Sequence, residues 1–591
     1  MLYSNPQQLP PEYRVIIAYD FGTTYSGAAY AFTHTTPTEV FDIQSWPHKG
    51  GNFYPKVPTA AVYPRNSQQQ SKSFGRSSLY KWGYSAKKEM LKPDADKESI
   101  LISRFKLHLD ESLLHPHLKN GLTVVETVAD YLSALHEHTL DELSRSFAKN
   151  YHPDTFRYCL TVPAVWTDKA KNLMRQAAIQ AGLINPSDPS DRLILVSEPE
   201  AAALYCEETM SDQVQLKDND RIMICDAGGG TVDLIVFQVN FKYTNSSSGG
   251  RINRELKEVT KGMGDCCGSV FLDNGFYGLL KIKLGTHVMS KITPRDLHSM
   301  MGYFIGTIKP EFDEEEYYYV ELPRSVNVED LPESTRNNHA NERDLDNGIL
   351  KFSGQELKEQ VFDPVVNRVI EFILQQYDQI PDGRLNFLFL VGGFGSSKYL
   401  YERVCRVFEG TNVNQIICPA ERAALAVVRG AVYYGIRPET VVSRVSRRTY
   451  GIRTNADYDE TFHSVSRCVL APNGTMQSTG LFFPFVKKYD EVDVDYCISR
   501  DLLVFYDPGS IMSTDIYATE NDFIPIYCDE PGVNRIANMT ITIPEMKGIN
   551  KYEPVNITTR MYFGRTEVRF EAEFLTGEKH HVSCDIGVAF N

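Results

Sequence analysis

At 591 residues the chain is too long for one ordinary hydrophobic core, and its 42 % hydrophobic and 23 % charged composition is that of a globular protein of several domains or subdomains. A formal net charge of −15 argues against a general binder of nucleic acid or of anionic membrane surfaces. No run approaches the roughly 20 apolar residues of a membrane span, and the start, Met1-Leu2-Tyr3-Ser4-Asn5-Pro6, lacks the basic-then-apolar order of a signal sequence. The expected compartment is therefore the cytoplasm, or the nucleus. The 11 cysteines read as reduced, mostly buried thiols; Cys266 and Cys267 are adjacent, but no Cys-x-x-Cys or nearby histidine completes a zinc site, and His580-His581 reads as strand surface.

In chain order, residues 1–13 read as a flexible start, followed by a strand-forming run, Val15-Ile16-Ile17-Ala18-Tyr19, that ends in Asp20-Phe21-Gly22-Thr23-Thr24 and continues into more strand residues, Ser26 to Phe32. Thr123-Val124-Val125-Glu126 is a capping box that opens a helix with Val128, Leu132 and Leu135 on one face. Thr167 caps a predicted helix from Asp168 to Ala181, and Gly182 stops it. A second strand, Ile222 to Cys225, ends in Asp226-Ala227-Gly228-Gly229-Gly230-Thr231-Val232-Asp233 and again runs on into strand residues, Leu234 to Phe237. Two insertions are expected, near 241–256, where Tyr243 to Gly250 is Ser/Gly-rich, and over 310–348, where Asp313-Glu314-Glu315-Glu316 and three tyrosines read as a solvated surface segment. Ser353-Gly354-Gln355-Glu356 opens a helix that buries Leu357, Val361, Val365, Val369 and Ile373 and ends before Pro381-Asp382-Gly383. Beyond Val442 the helical patterns give way to short strands, such as Leu502 to Tyr506 and Met539 to Ile543, expected to form an antiparallel sheet or sandwich.

The two Asp-Gly-Thr turns carry the chemistry. Each carboxylate sits where a buried strand ends, glycines let backbone N–H groups approach phosphate oxygens with no Cβ in the way, and threonine hydroxyls add donors. Aspartates in such a place hold magnesium, often through its water shell. One such turn is a common loop; two at strand ends point to a nucleotide gripped from both sides and to an internal duplication of a strand–turn–strand unit. A Rossmann turn opens a helix, whereas both of these run on into strands, and no Gly-x-x-x-x-Gly-Lys-Ser/Thr is present.

Taken in order, the two turns, Thr161-Val162-Pro163-Ala164 with its helix, Ser197-Glu198-Pro199-Glu200-Ala201-Ala202-Ala203 and Val391-Gly392-Gly393-Phe394-Gly395-Ser396 resemble the ATPase domain of the seventy-kilodalton heat-shock chaperones across residues 14–435. With Arg429-Gly430-Ala431-Val432 and Ser446-Arg447-Arg448-Thr449-Tyr450-Gly451, the wider pattern is more similar to the divergent branch typified by heat-shock family A member twelve. The resemblance implies an α/β, duplicated actin-like ATPase fold over 14–441, with two lobes around a nucleotide cleft, followed over 442–591 by a β-rich domain lacking a helical lid. It implies ATP or ADP and Mg2+ as cofactors. Asp20 and Asp226 then resemble the magnesium-side carboxylates, and Glu198 the third acid around the ion, a plain helix N-cap being the alternative. Asp233 resembles the carboxylate that helps place the attacking water; Gly22, Thr23, Thr24, Gly228, Gly229, Gly230 and Thr231 resemble the phosphate cradle. Lys106 is the candidate catalytic lysine near the γ-phosphate, with an exposed helix lysine as the alternative; Gly392, Gly393, Gly395 and Ser396 resemble the turn that lines the adenosine, and Lys309 is a candidate for the adenine side.

The chain also departs from that pattern. Where classical members carry a Pro-Asp-Glu-Ala-type segment, it reads Cys418-Pro419-Ala420-Glu421-Arg422-Ala423-Ala424, and Glu439 to Arg448 replaces the leucine-rich acidic linker. The expected function is a chaperone-like, ATP-binding protein with slow magnesium-dependent hydrolysis that engages client or partner polypeptides through the C-terminal β domain. The competing readings are a nucleotide-gated adaptor or scaffold without refolding activity, and a small-molecule kinase of actin-like fold.

Overall fold

The structure is a computed structural model that describes residues 13–35, 38–52, 54–65, 79, 81–92, 95–109, 118, 121–146, 152–244, 251–336, 345–346, 348–419, 423–471, 474–494, 497–543, 545–546, 548–562, 567, 569–574 and 579–582. The expected flexible start thus lies, up to residue 12, outside the described residues. By packing, the chain divides into two compact units. One takes in the described residues up to Val165 with Leu173–Val236 and Met263–Pro438; the other takes in Trp166–Asn172, Phe237–Gly262 and the described residues from Glu439 onwards.

The first unit is mixed α/β. Strand β1 (Val15–Phe21) is buried along its whole length, as its near-continuous apolar run requires of a strand covered on both faces. It pairs antiparallel with β2 (Tyr25–Phe32) across the turn Gly22-Thr23-Thr24, and β2 in turn pairs with β3 (Val40–Asp42) and β4 (Val57–Pro58). On its other edge β1 runs parallel to β5 (Phe156–Val162), which runs parallel to β6 (Leu193–Ser197), giving the order β3-β2-β1-β5-β6. Helix α1 (Glu198–Val214) starts directly at the end of β6.

A second sheet starts with β7 (Arg221–Ala227), whose neighbour β8 (Val232–Thr244) pairs through its first residues with β9 (Met263–Asp265). Helix α2 (Val270–Lys291) follows. Parallel to β7 lies β10 (Leu385–Val391), and parallel to that β11 (Val413–Ile417), in the order β11-β10-β7-β8. Each sheet therefore begins with the same strand–turn–strand device, and in each the carboxyl ends of parallel strands lie side by side, where α/β sheets place their ligands.

Helix α3 (Ala426–Ile436) packs against α1 so closely that a Cβ at Gly430 would overlap the Ala201 carbonyl, while a Cβ at Gly435 would stand 2.6 Å from Cys159 Sγ. Between those glycines and the sheet, Arg429 Nε donates to both oxygens of Asp42 on β3, at 2.8 and 3.0 Å. The sequence pair Arg429-Gly430 thus works as a tether and a gap.

The predicted helix starts hold. Thr123 N donates to Glu126 Oε2 at 2.8 Å and Glu126 N to Thr123 Oγ1 at 3.2 Å, closing the capping box at the head of Val124–Ser146. Ser353 Oγ accepts from Glu356 N at 3.1 Å. The single helix expected after Ser353 is divided, however, into Gly354–Leu357, a wide π-type turn at Lys358–Phe362, and Asp363–Asp378. Pro364 has no N–H to continue the ladder, and the wide turn lets the helix resume beyond it with Leu357, Val361, Val365, Val369 and Ile373 still buried.

The stretch 310–348, expected as a loop, contains a strand. Tyr317–Glu321 pairs antiparallel with Ile349–Ser353, with Val320 buried and Tyr317 and Tyr319 exposed on the opposite face. The acidic run before it is tied down in part: Glu314 pairs with Lys358, and with Arg406 at 3.3 Å. Residues 337–344 and 347 lie outside the described residues.

In the second unit, the other expected insertion is largely a hairpin: Phe237–Thr244 of β8 pairs antiparallel with Arg251–Glu258, and the Ser/Gly-rich tip, 245–250, lies outside the described residues. The strand Val441–Val445 runs parallel to Arg251–Glu258 and antiparallel to Glu491–Asp493, so the segment that replaces the family's linker is partly built into a sheet. After it, a five-stranded antiparallel sheet (Cys468–Leu470, Met476–Val486, Thr449–Asp457, Ile511–Thr519, Val533–Thr542, in that spatial order) and a four-stranded one (Cys497–Phe505, Pro554–Tyr562, Arg569–Phe574, Lys579–Val582) share a core that includes Tyr450, Ile452, Ile516, Ile557 and Met561. Among the described residues no helix is long and apolar enough to cross a membrane.

Candidate functional site

Asp20 stands near the end of β1, and the parallel pairing of β1 with β5 sets Thr161 beside it: Thr161 Oγ1 donates to Asp20 Oδ1 at 3.2 Å. The other oxygen, Oδ2, is ion-paired with Lys56, a residue that the sequence motifs did not single out. Lys56 is only 8 % exposed, and its stem lies against Gly27, where a Cβ would stand 3.3 Å from Lys56 Cγ. Two residues earlier, the Tyr54 ring packs on Tyr25 at 4.7 Å, and a Cβ at Gly393 would lie 3.3 Å from the Tyr54 hydroxyl.

Glu198, the first residue of α1, is buried and ion-paired with Lys106. Of the two readings of Lys106, the exposed helix lysine does not hold: it is 3 % exposed, in the 3-10 turn Phe105–Leu109, with its ammonium 5.9 Å from the Phe21 ring centre. Phe21, Phe105 and Tyr131 pack against one another behind it, and Arg104 enters the turn at φ +61°, the left-handed region that non-glycine residues seldom adopt.

The second turn is held from behind by α2. Gly268 N donates to Gly230 O at 3.1 Å, Ser269 N to Gly228 O at 3.1 Å and Val270 N to Gly229 O at 2.9 Å, while Gly228 N closes the turn on Thr231 O at 2.9 Å. The structure brings the two turns into contact. A Cβ at Gly229 would lie 2.8 Å from Thr24 Cγ2, and one at Gly230 would lie 2.9 Å from Thr23 Cβ, so glycine at these positions is a requirement of the close approach. Asp226 and Asp233, at the two ends of this segment, are both buried, and Asp233 Oδ1 accepts from Val165 N at 3.3 Å.

Gly392 to Ser396 follow β10 directly, and since Asp226 is in register with Val391, the glycine turn starts beside that carboxylate. Gly392 adopts φ +83°, and a Cβ there would lie 2.5 Å from Ala227 O. Gly393 faces Tyr54, whereas Gly395 packs back on Leu390, and Ser396 Oγ donates to Gly393 O at 2.9 Å, bracing the turn itself. Lys309 is drawn to Asp273 on α2, at 2.8 Å, and to Ser269 O, at 3.1 Å. Cys418 reaches Gly395 O at 3.5 Å; Ala420, Glu421 and Arg422 of the same segment lie outside the described residues.

The electrostatics follow from this crowding. Burial first, then the charges of Glu198, Asp233 and Asp20, hold the Asp226 carboxyl well above the usual carboxylate range, with Lys56 opposing them. Burial likewise pushes Glu198 up, against the pull of Lys106. Four buried carboxylates thus share a space with two ammonium groups.

A family model described as "Domain of unknown function (DUF8340)" matches residues 216–417. The chain is 25 % identical to heat shock 70 kDa protein 12A of Mus musculus, over 99 % of this chain and 93 % of that protein. It is a relative of the heat shock 70 kDa proteins 12A and 12B. The 12B protein of Homo sapiens is 25 % identical over 84 % of this chain and 79 % of its own length. The chaperone protein DnaK of Prochlorococcus marinus (strain MIT 9515) is 24 % identical, over 53 % of this chain and 44 % of its own.

Proposed function

We propose that the protein binds ATP or ADP at the meeting of the two turns and works as a chaperone-like, nucleotide-controlled binder of polypeptides, with slow magnesium-dependent hydrolysis. The observation that carries this reading is the contact of Gly229 and Gly230 with Thr24 and Thr23 amid Asp20, Glu198, Asp226 and Asp233. The resemblance to 12A and 12B over most of the chain supports it, as does the duplicated strand–turn–strand device, which we take as the signature of an actin-like fold with two lobes that close on the nucleotide.

The residues fit a magnesium ion held mainly through its waters. Among the described residues no group of three or more His, Cys, Asp or Glu side chains is arranged to ligate a metal directly, yet Asp226 lies in an excess of buried negative charge that a hydrated dication would relieve. Asp226 would hold that shell, with Asp20, already paired with Lys56, at its border, and the ion would neutralise charge on the phosphate chain. The backbone N–H groups of Gly22, Gly229 and Gly230 and the hydroxyls of Thr23, Thr24 and Thr231 cradle the phosphates, while Gly228, bonded to Thr231 O and Ser269 N, shapes the turn. Lys106, fixed by Glu198, lends positive charge to the terminal phosphate, and Asp233 orients water. Phosphoryl transfer asks little more of a protein than such positioning and neutralisation. Gly392 and Gly393 flank the adenosine; Gly395 and Ser396 brace that turn. The β-rich region from 442 engages the polypeptide, and the site of action is the cytoplasm or nucleus.

Calorimetry of the purified protein with Mg-ATP tests the reading. Saturable binding is expected, and no heat at millimolar nucleotide would sink it. Suppression of client aggregation separates a chaperone from an adaptor, and a screen for phosphorylated metabolites separates both from a kinase.

A further inference from the structure

The ion pair between Lys56 and Asp20 does not follow from the two turns as motifs, and it changes what the site needs from solution. Three observations fix Lys56 where it is. Gly27 leaves the space that its stem occupies, Tyr84 Oη donates to its carbonyl at 3.1 Å, and Val57 and Pro58, immediately after it, pair as a strand with Ser26 and Tyr25. Its ammonium is out of solvent, on Asp20, and its charge opposes the upward push on the Asp226 carboxyl. A lysine held this way is a compact point charge delivered by the fold and not by the medium.

We propose that Lys56 is a built-in cation of the nucleotide-phosphate site, filling at Asp20 the charge role of a divalent ion, so that nucleotide affinity depends on Lys56 more than on magnesium. The inference rests on the nucleotide reading above. With the lysine present, an incoming phosphate chain meets a neutral Asp20–Lys56 pair on one side and the Lys106–Glu198 pair on another, and binding does not wait for a dication to screen Asp20. Magnesium at Asp226 serves hydrolysis, whereas affinity is set by Lys56. Without the lysine, Asp20 becomes a buried, uncompensated charge that repels phosphate unless magnesium covers it.

The test is the ratio of the ATP dissociation constant in excess chelator to that in excess magnesium, measured by calorimetry on the full chain for the wild type, Lys56→Met and Lys56→Arg. We expect a ratio below about 3 for the wild type and for Lys56→Arg, and above about 10, or 1.4 kcal/mol, for Lys56→Met. A wild-type ratio as large as that of Lys56→Met, or any wild-type ratio above about 10, overturns the proposal, and the wild-type ratio decides alone should Lys56→Met fail to melt cooperatively. Absence of ATP binding by the wild type in both media would instead strike the nucleotide reading itself.

Discussion

Seven residues after Asp20 the chain carries Gly27, whereas seven residues after Asp226 it carries Asp233. In the first turn that glycine makes room for Lys56, whose ammonium neutralises Asp20; in the second, the corresponding place adds another buried carboxylate, and burial and its neighbours hold the Asp226 carboxyl well above the usual carboxylate range. One strand–turn–strand unit is thus electrostatically complete as folded, and the other carries an excess of buried carboxylate. The two strand–turn–strand units share a geometry, and one small residue decides which of them carries its own counter-charge.

The comparison is most easily broken through stability. Asp20→Asn strands the buried Lys56 ammonium and is expected to cost about 3 kcal/mol, the scale of a buried pair that loses one partner. Asp226→Asn removes a crowded carboxylate and is expected to stabilise the nucleotide-free protein by about 1–2 kcal/mol, the usual size of a stabilising single substitution. Urea midpoints of the two variants read both signs, and the same sign for both would defeat the contrast. Next in size, Asp233→Ala is expected to slow single-turnover hydrolysis about 100-fold, as loss of a water-orienting group does, while changing ATP affinity less than about threefold. An unchanged hydrolysis rate would remove Asp233 from the chemistry.

The pH dependence sharpens the same point. Burial above all raises Asp226 well beyond its usual range and Glu198 to about 7, so the folded protein holds protons that the unfolded chain releases. Such groups stabilise fully below the unfolded carboxylate pKa of about 4 and lose that contribution as pH rises through the folded value. The advantage of Asp226→Asn over the wild type should therefore widen between about pH 5 and pH 8; a constant gap would show that Asp226 is not strained by its neighbours. The smallest effect expected is that of Thr23→Ser, which keeps the hydroxyl and relaxes the packing on Gly230, and should shift stability by less than about 1 kcal/mol. It should also soften the penalty of Gly230→Ala in a double-mutant cycle, whereas additivity would mean that the turns do not bear on each other.

Much of this was legible in the sequence because the signals are local. Strand, carboxylate, glycine and threonine stand within ten residues in both turns, and the capping boxes at Thr123 and Ser353 are spelled out in four letters each. Lys106 carried no local signal strong enough to tell a buried lysine from an exposed one; Glu198, its partner, lies 92 residues away. Lys56 carried none at all, since Tyr54-Pro55-Lys56-Val57-Pro58 has neither glycine nor acid, and only the pairing of Val57 with Ser26 brings it to Asp20. The strand in 310–348 was masked by the charged run before it, although Tyr317-Tyr318-Tyr319-Val320 has the composition of a strand.

The bonds from the head of α2 to the second turn fix the polarity of that turn. In a trans peptide the carbonyl and the following N–H point in opposite directions. By drawing the carbonyls of Gly228, Gly229 and Gly230 towards Gly268, Ser269 and Val270, the head of the helix turns the N–H edge of the loop away from itself, so that the proposed phosphate would meet donors and not oxygens. The sign of what the loop attracts is thus written outside the loop. One extra residue between Cys267 and Val270 would release those oxygens to face outward and leave a cation-seeking edge, with every residue from Asp226 to Asp233 unchanged.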